Sequence, residues 1–207
     1  MCAEVAHTWH RWRFNWRFIR FLQLNFPYFL FFDLMRPLQL GGKLACFLIQ
    51  LPPKCDCNME NLESFFGLLD PQFKYAIEFR NLSWMKDETW DLLKKYDVAY
   101  TIVDEPLLPP EVHLTTDFAY FRWHGKGEKI WFDYRYSKDE LDNWVPKVQE
   151  VSKSVKKVIG FFNNHYYGYA PENCLYLLEK LGILSETQKK AKDKSKVKQA
   201  QLRSFFG

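Results

Sequence analysis

What most constrains the fold of this 207-residue chain is a series of five short, near-continuous apolar runs, at residues 44–51, 75–80, 98–104, 118–124 and 158–163. Runs of this length without polar alternation suit strands covered on both faces, as in parallel sheets. The stretches between them carry helical signals. Ser137 and Glu140 form a capping box ahead of Leu141, Trp144, Val145, Val148 and Val151 at helical spacing. Asp87 is placed to cap a helix through Tyr96, Pro171 to open a last helix and Gly182 to close it. Pro146 should kink or shorten the helix it falls in. Segment 104–117 is proline-rich and reads as a long loop. Strand–helix repeats of this kind predict an α/β fold of parallel strands joined by right-handed crossovers.

Each run ends in polar residues: Gln50, then Glu78 and Arg80, then Asp104, then Arg122 and His124, then Asn163 and Asn164. Ligands of parallel sheets and barrels sit at the carboxyl ends of strands. Strand alternation places Glu78 and Arg80 on one face, and Arg122 and His124 on one face. Arg80 and Arg122 suit bidentate recognition of phosphate or carboxylate. His124 and Asp104 are the acid–base or metal-ligating groups, Glu78 can bind a metal or orient a donor, and Asn163 and Asn164 can donate to an oxyanion or sugar hydroxyl. The plain alternative is a buried Glu78–Arg80 ion pair and a hydrogen-bonded structural His124. Cys55 and Cys57 supply only two ligands, and neither His113 nor His165 stands at a spacing that completes a metal site, so both cysteines read as structural.

Several strings resemble the YecE-like family, domain of unknown function 72: Leu40-Gly41 through Pro53, 76–84, 104–106, 116–125 and 161–164. The resemblance covers roughly residues 36–182. It implies a parallel (β/α) barrel of TIM type, of which the five runs are strands four to eight, and it brings no settled activity. The family usually has His where this chain has Asn81, which weakens a proton-transfer role there. Its first three strand–helix units find no counterpart, and residues 1–35 read as an atypical segment, expected to reflect a truncated or frame-shifted start. Residues 36–184 are then a partial barrel.

Charge is unevenly spread. Residues 21–184 hold 18 Lys/Arg against 22 Asp/Glu, a net of −4, while residues 185–207 carry a net of +5. A body with excess acid weakens a reading as a phosphate-backbone grip, so DNA is only a weakly supported partner. Five cysteines with no disulfide framework, no signal-peptide layout, and an apolar stretch at 18–35 broken by Arg20, Pro27 and Asp33 point to a reduced, cytoplasmic protein with no membrane partner.

Beyond Gly182 the pattern dissolves into a Lys-rich linker, 185–198, followed by residues 199–207. Leu202, Phe205 and Phe206 fall on one helical turn. With Gln199 they match every defined position of the sliding-clamp-interacting peptide. That resemblance implies docking to a PCNA-type clamp of archaeal or eukaryotic kind, and a role near DNA repair or replication. The functional expectation is thus a YecE-like barrel of unsettled activity recruited to the clamp near DNA repair or replication, with metal-dependent phosphodiester hydrolysis as the candidate reaction and a divalent metal as the candidate, unassigned, cofactor. The alternatives are a non-catalytic clamp accessory and a sugar- or phosphate-processing enzyme.

Overall fold

The computed structural model describes residues 26–190 and 192. Five strands, β1 (Phe47–Gln50), β2 (Tyr75–Glu78), β3 (Val98–Asp104), β4 (Phe118–Trp123) and β5 (Lys157–Phe162), lie side by side in chain order. Every neighbouring pair is parallel. The sheet curls into a half-barrel. Among the described residues these α-helices accompany it: α1 (Phe26–Leu40), α2 (Met59–Phe66), α3 (Asp87–Lys95), α4 (Lys138–Ser154) and α5 (Tyr169–Lys180). The five apolar runs of the sequence are thus the five strands: β3 keeps its bounds, β5 shifts one residue toward the N-terminus, and the other three are shortened by at most a few residues. The loop expected at 104–117 carries no helix or strand over residues 105–117.

Strand alternation sorts the core into two. Ala76, Ala99, Phe118, Tyr120 and Ile159 face the inner side of the curl, with Cys46, Leu48 and Phe161 packed against them. Ile77, Phe79, Tyr100, Ile102, Phe121 and Trp123 face outward into a larger cluster with helix residues Leu62, Trp90, Leu93, Leu141, Trp144 and Val148. By the same period of two, Gln50 continues the row of Leu48, Glu78 that of Ala76, Arg122 that of Tyr120, and Asn163 that of Phe161. A polar layer therefore sits on top of the inner apolar one, at the carboxyl ends.

Local chemistry sets the helix ends. Ser137 Oγ accepts from Glu140 N at 3.2 Å and Glu140 Oε2 accepts from Ser137 N at 2.9 Å, the reciprocal box anticipated for α4. Gly182, at φ +72°, donates to Glu179 O while Ile183 donates to Leu178 O, so a left-handed residue closes α5. Three expectations meet the structure differently. Of the two outcomes expected at Pro146, shortening does not occur: α4 continues through the proline, with Trp144, Val148 and Val151 buried on both sides of it. Asp87 is the first helical residue rather than the cap, which is Lys86; its charge favours the positive helix N-terminus instead. Helix α5 opens at Tyr169 after Gly168, and Pro171 sits in its first turn. Among the described residues no helix is long and apolar enough to cross a membrane. The docking string at Gln199, Leu202, Phe205 and Phe206, and most of the atypical segment 1–35, lie outside the described residues.

Candidate functional site

The polar layer converges on one buried carboxylate. Glu78, at the end of β2, has no solvent exposure. Its Oε1 accepts from Gln50 Nε2 at 2.9 Å and from Arg80 Nε at 2.8 Å, and its Oε2 accepts from Arg122 at 2.5 Å. His124 Nε2 lies 3.2 Å from Oε1. These groups come from β1, β2 and β4 and the turns after them, brought together by the parallel register that pairs Gln50 with Glu78. Burial raises the Glu78 carboxyl, yet Arg122, His124 and Arg80 outweigh it and hold the group well below the usual carboxylate range.

Beside this cluster stands Glu105, a residue not among the sequence candidates. It is buried, and neither carboxylate oxygen hydrogen-bonds to any described residue. Burial, reinforced by the charge of Glu78 and only partly offset by Arg80 and Arg122, lifts its carboxyl to about 7. The signal that could have found it was present: it follows Asp104 directly and therefore faces the opposite way, toward the inner side.

His124 is nearly as enclosed. Burial, together with the two arginines, lowers its imidazole below the ordinary value despite the opposing pull of Glu78. Asn163 Nδ2 stands 3.1 Å from its Nδ1. With the amide donating, the ring proton resides on Nε2, on the Glu78 side. Near neutral pH the cluster then holds one carboxylate, two guanidiniums, a neutral imidazole and a carboxyl close to half-protonation. The arrangement can attract an oxyanion and exchange a proton with it.

The structure brings Glu78, Arg80, Arg122, His124 and Asn163 together, and leaves Asp104 and Asn164 apart. Asp104 points to the outer face, where Oδ2 accepts from Trp144 Nε1 at 2.8 Å and Oδ1 pairs with Lys126 at 2.8 Å. Asn164, fully buried, donates to Tyr134 O at 2.9 Å and to Asn173 Oδ1 at 2.7 Å, tying the β4–α4 loop to α5. Both follow from alternation: each neighbours a site residue and so faces away from it. Asn81, where the family carries His, caps the 3₁₀ turn Leu82–Trp84 through Ser83 N and donates to Pro53 O and Asp56 Oδ1, both at 3.0 Å. It serves as a loop clamp.

Glu78, Glu105 and His124 offer ligand atoms all within 4.8 Å of one another, the group among the described residues with metal-holding spacing. Cys55 and Cys57 are not part of it. The donor set fits a divalent cation poorly. Both Glu78 oxygens are already engaged by guanidiniums, and a dication there would face Arg80 and Arg122 at close range.

Fold and site define a parallel β/α half-barrel protein with a charged cluster at the carboxyl ends of its strands. The chain belongs to the DUF72 family, "Protein of unknown function DUF72", whose pattern matches residues 20–199. It is 30% identical over 169 residues to the UPF0759 protein YunF of Bacillus subtilis (strain 168), covering 69% of this chain and 60% of that protein. Among solved structures, a DUF72 family protein from Thermotoga maritima MSB8 superposes with a TM-score of 0.69 at 34% identity, over 73% of this chain and 63% of that one. Another, from Enterococcus faecalis V583, gives a TM-score of 0.70 at 27% identity, over 75% and 65%. The chain thus spans under two thirds of these relatives' lengths.

Proposed function

We propose that this protein is an acid–base enzyme acting on a ligand that bears an oxyanion, phosphate foremost. Arg80 and Arg122 hold the anion, Glu78 orients the two guanidiniums, and Glu105 exchanges the proton. His124, neutral and pinned by Asn163, keeps its Nε2 toward Glu78 Oε1 and so holds the carboxylate in place beside the bound group. The observation that carries this reading is Glu105: a buried carboxyl with both oxygens unpartnered, set beside two arginines that another carboxylate already aligns. Buried unsatisfied groups are costly, and their persistence marks sites built for a ligand. Calorimetric titration with inorganic phosphate tests it: saturable binding in wild type, lost in Arg122→Gln, is expected. A phosphoester panel should then be turned over by wild type and not by Glu105→Gln. Absence of phosphate binding by the wild type would overturn the reading.

We read the five strands as the last five of an eight-stranded barrel. In support, the 63% and 65% shares of the solved relatives lie near the five-eighths that such a barrel implies.

A second reading is a metal-dependent phosphodiester hydrolase brought to a PCNA-type clamp. The spacing of Glu78, Glu105 and His124 favours its first half, and the string Gln199, Leu202, Phe205, Phe206 its second. Stoichiometric manganese or zinc in the purified protein, lost in Glu105→Gln, would select it over the metal-free reading.

A further inference from the structure

The loops after β4 and β5 carry an aromatic ladder that the acid–base chemistry does not use. Phe132 lies flat on His165, with ring centres 5.0 Å apart and planes 5° from parallel. Tyr166 stands 6.0 Å from Phe132, Tyr167 packs edge-on against Tyr166 at 4.8 Å, and Tyr169 follows Tyr167 at 5.8 Å. Arg135 lies over Tyr169 at 5.6 Å. These rings are not core: Phe132, Tyr166 and Tyr167 are 37%, 49% and 67% exposed. A contiguous exposed aromatic surface at a site rim signals a partner.

The loop that presents Phe132 is built to one shape. Gly125 sits at φ +88°, and a Cβ there would lie 2.3 Å from Trp131 O; one on Gly127 would lie 2.2 Å from Ile130 O. Gly125 N donates to the Tyr136 hydroxyl at 2.9 Å, fastening the loop's two ends. The ladder is also joined to the site. Asn163 contacts His124 Nδ1 through its amide, and its carbonyl lies 2.6 Å from His165 Nδ1. One residue thus links the edge of the anion cluster to the ladder, and the two-residue step to His165 spans at most about 7 Å.

We infer that the ladder is the stacking platform for the base of a nucleotide whose phosphate Arg80 and Arg122 hold. This rests on the oxyanion reading above. Ring faces take any base, and an adjoining pair of guanidiniums fixes the phosphate end. Residues 21–184 carry a net of −4, and the β4–α4 loop sets Glu128 and Asp133 against Lys126, Lys129 and Arg135. That balance does not track a long phosphate backbone, so the ligand is a free nucleotide or a strand end rather than a duplex.

Calorimetry on the full chain with thymidine 5′-monophosphate, 2-deoxyribose 5-phosphate and a short thymidine oligonucleotide tests this. Thymidine monophosphate should bind about tenfold tighter than the base-less sugar phosphate. Tyr166→Ala/Tyr167→Ala, both exposed and dispensable to the core, should erase that difference without changing affinity for the sugar phosphate. Tighter oligonucleotide binding assigns the ligand to a strand end, and equal binding to the free nucleotide; either supports the platform. Equal wild-type affinity for the two small ligands overturns it and leaves the anion site standing. Failure of both to bind overturns the oxyanion reading as well.

Discussion

Arg122 and Glu78, 44 residues apart in the chain, meet at 2.5 Å at the carboxyl ends of β4 and β2. With Arg80 on the other oxygen, the buried carboxylate is clamped by two guanidiniums that keep some exposure themselves. Removing one partner of such a group leaves uncompensated buried charge, whereas the intact cluster balances desolvation against attraction.

Glu78→Gln is therefore expected to destabilise the fold by about 3 kcal/mol, measured as a shift of the urea midpoint at neutral pH. Because the folded carboxyl titrates below its unfolded value, the stabilisation is complete above the ordinary carboxylate range and fades only as pH falls toward the lowered folded value. The part of the gap that the Glu78 charge supplies should close only in strong acid.

Glu105 has the opposite sign. Its carboxyl is lifted to about 7, so the native state favours the protonated form. The group costs stability above pH 7, and the cost is relieved as pH falls from about 7 toward the ordinary carboxylate value. Glu105→Gln should melt higher than wild type at pH 8, by roughly 1–3 kcal/mol of stability, and match it at pH 4. A variant that melts lower at pH 8 would show that the carboxylate has a partner the geometry lacks.

Asp104 belongs to the outer packing. Asp104→Asn should cost about 1–2 kcal/mol through the weakened Trp144 hydrogen bond and the lost Lys126 pair. Phosphate affinity should remain at the wild-type level, because the side chain faces away from Arg122. A fall in affinity greater than the loss of folded protein explains would return Asp104 to the site.

Gly125→Ala forces a left-handed residue to carry a Cβ into Trp131 O. The strain alone is about 1–2 kcal/mol, and the clash requires the β4–α4 loop to move. Thermal melts should show the loss, and intrinsic fluorescence should report a changed setting of Trp131.

The tail makes an independent prediction. A peptide of residues 199–207 should bind a PCNA-type clamp at micromolar concentration, and Phe205→Ala/Phe206→Ala should abolish this while leaving phosphate binding untouched. No binding of the wild-type peptide would remove the partner.

The strands were legible because both faces of a parallel strand must be apolar, so five apolar runs announced five strands. The capping box and the closing glycine were equally legible, since they depend on residues three or four apart. What the linear order of residues left open was which polar residue of each adjacent pair faces inward. Asp104 and Glu105, or Asn163 and Asn164, differ by one position, and the period of two sends one of each pair to the cluster and the other to the helices. Only the curl of the sheet, which sets Glu78 of β2 beside the side chains of β4 and Glu105, decided that Glu105 is buried with no hydrogen-bond partner among the described residues. Its environment is made by charges at 78, 80 and 122, and no local pattern could supply them.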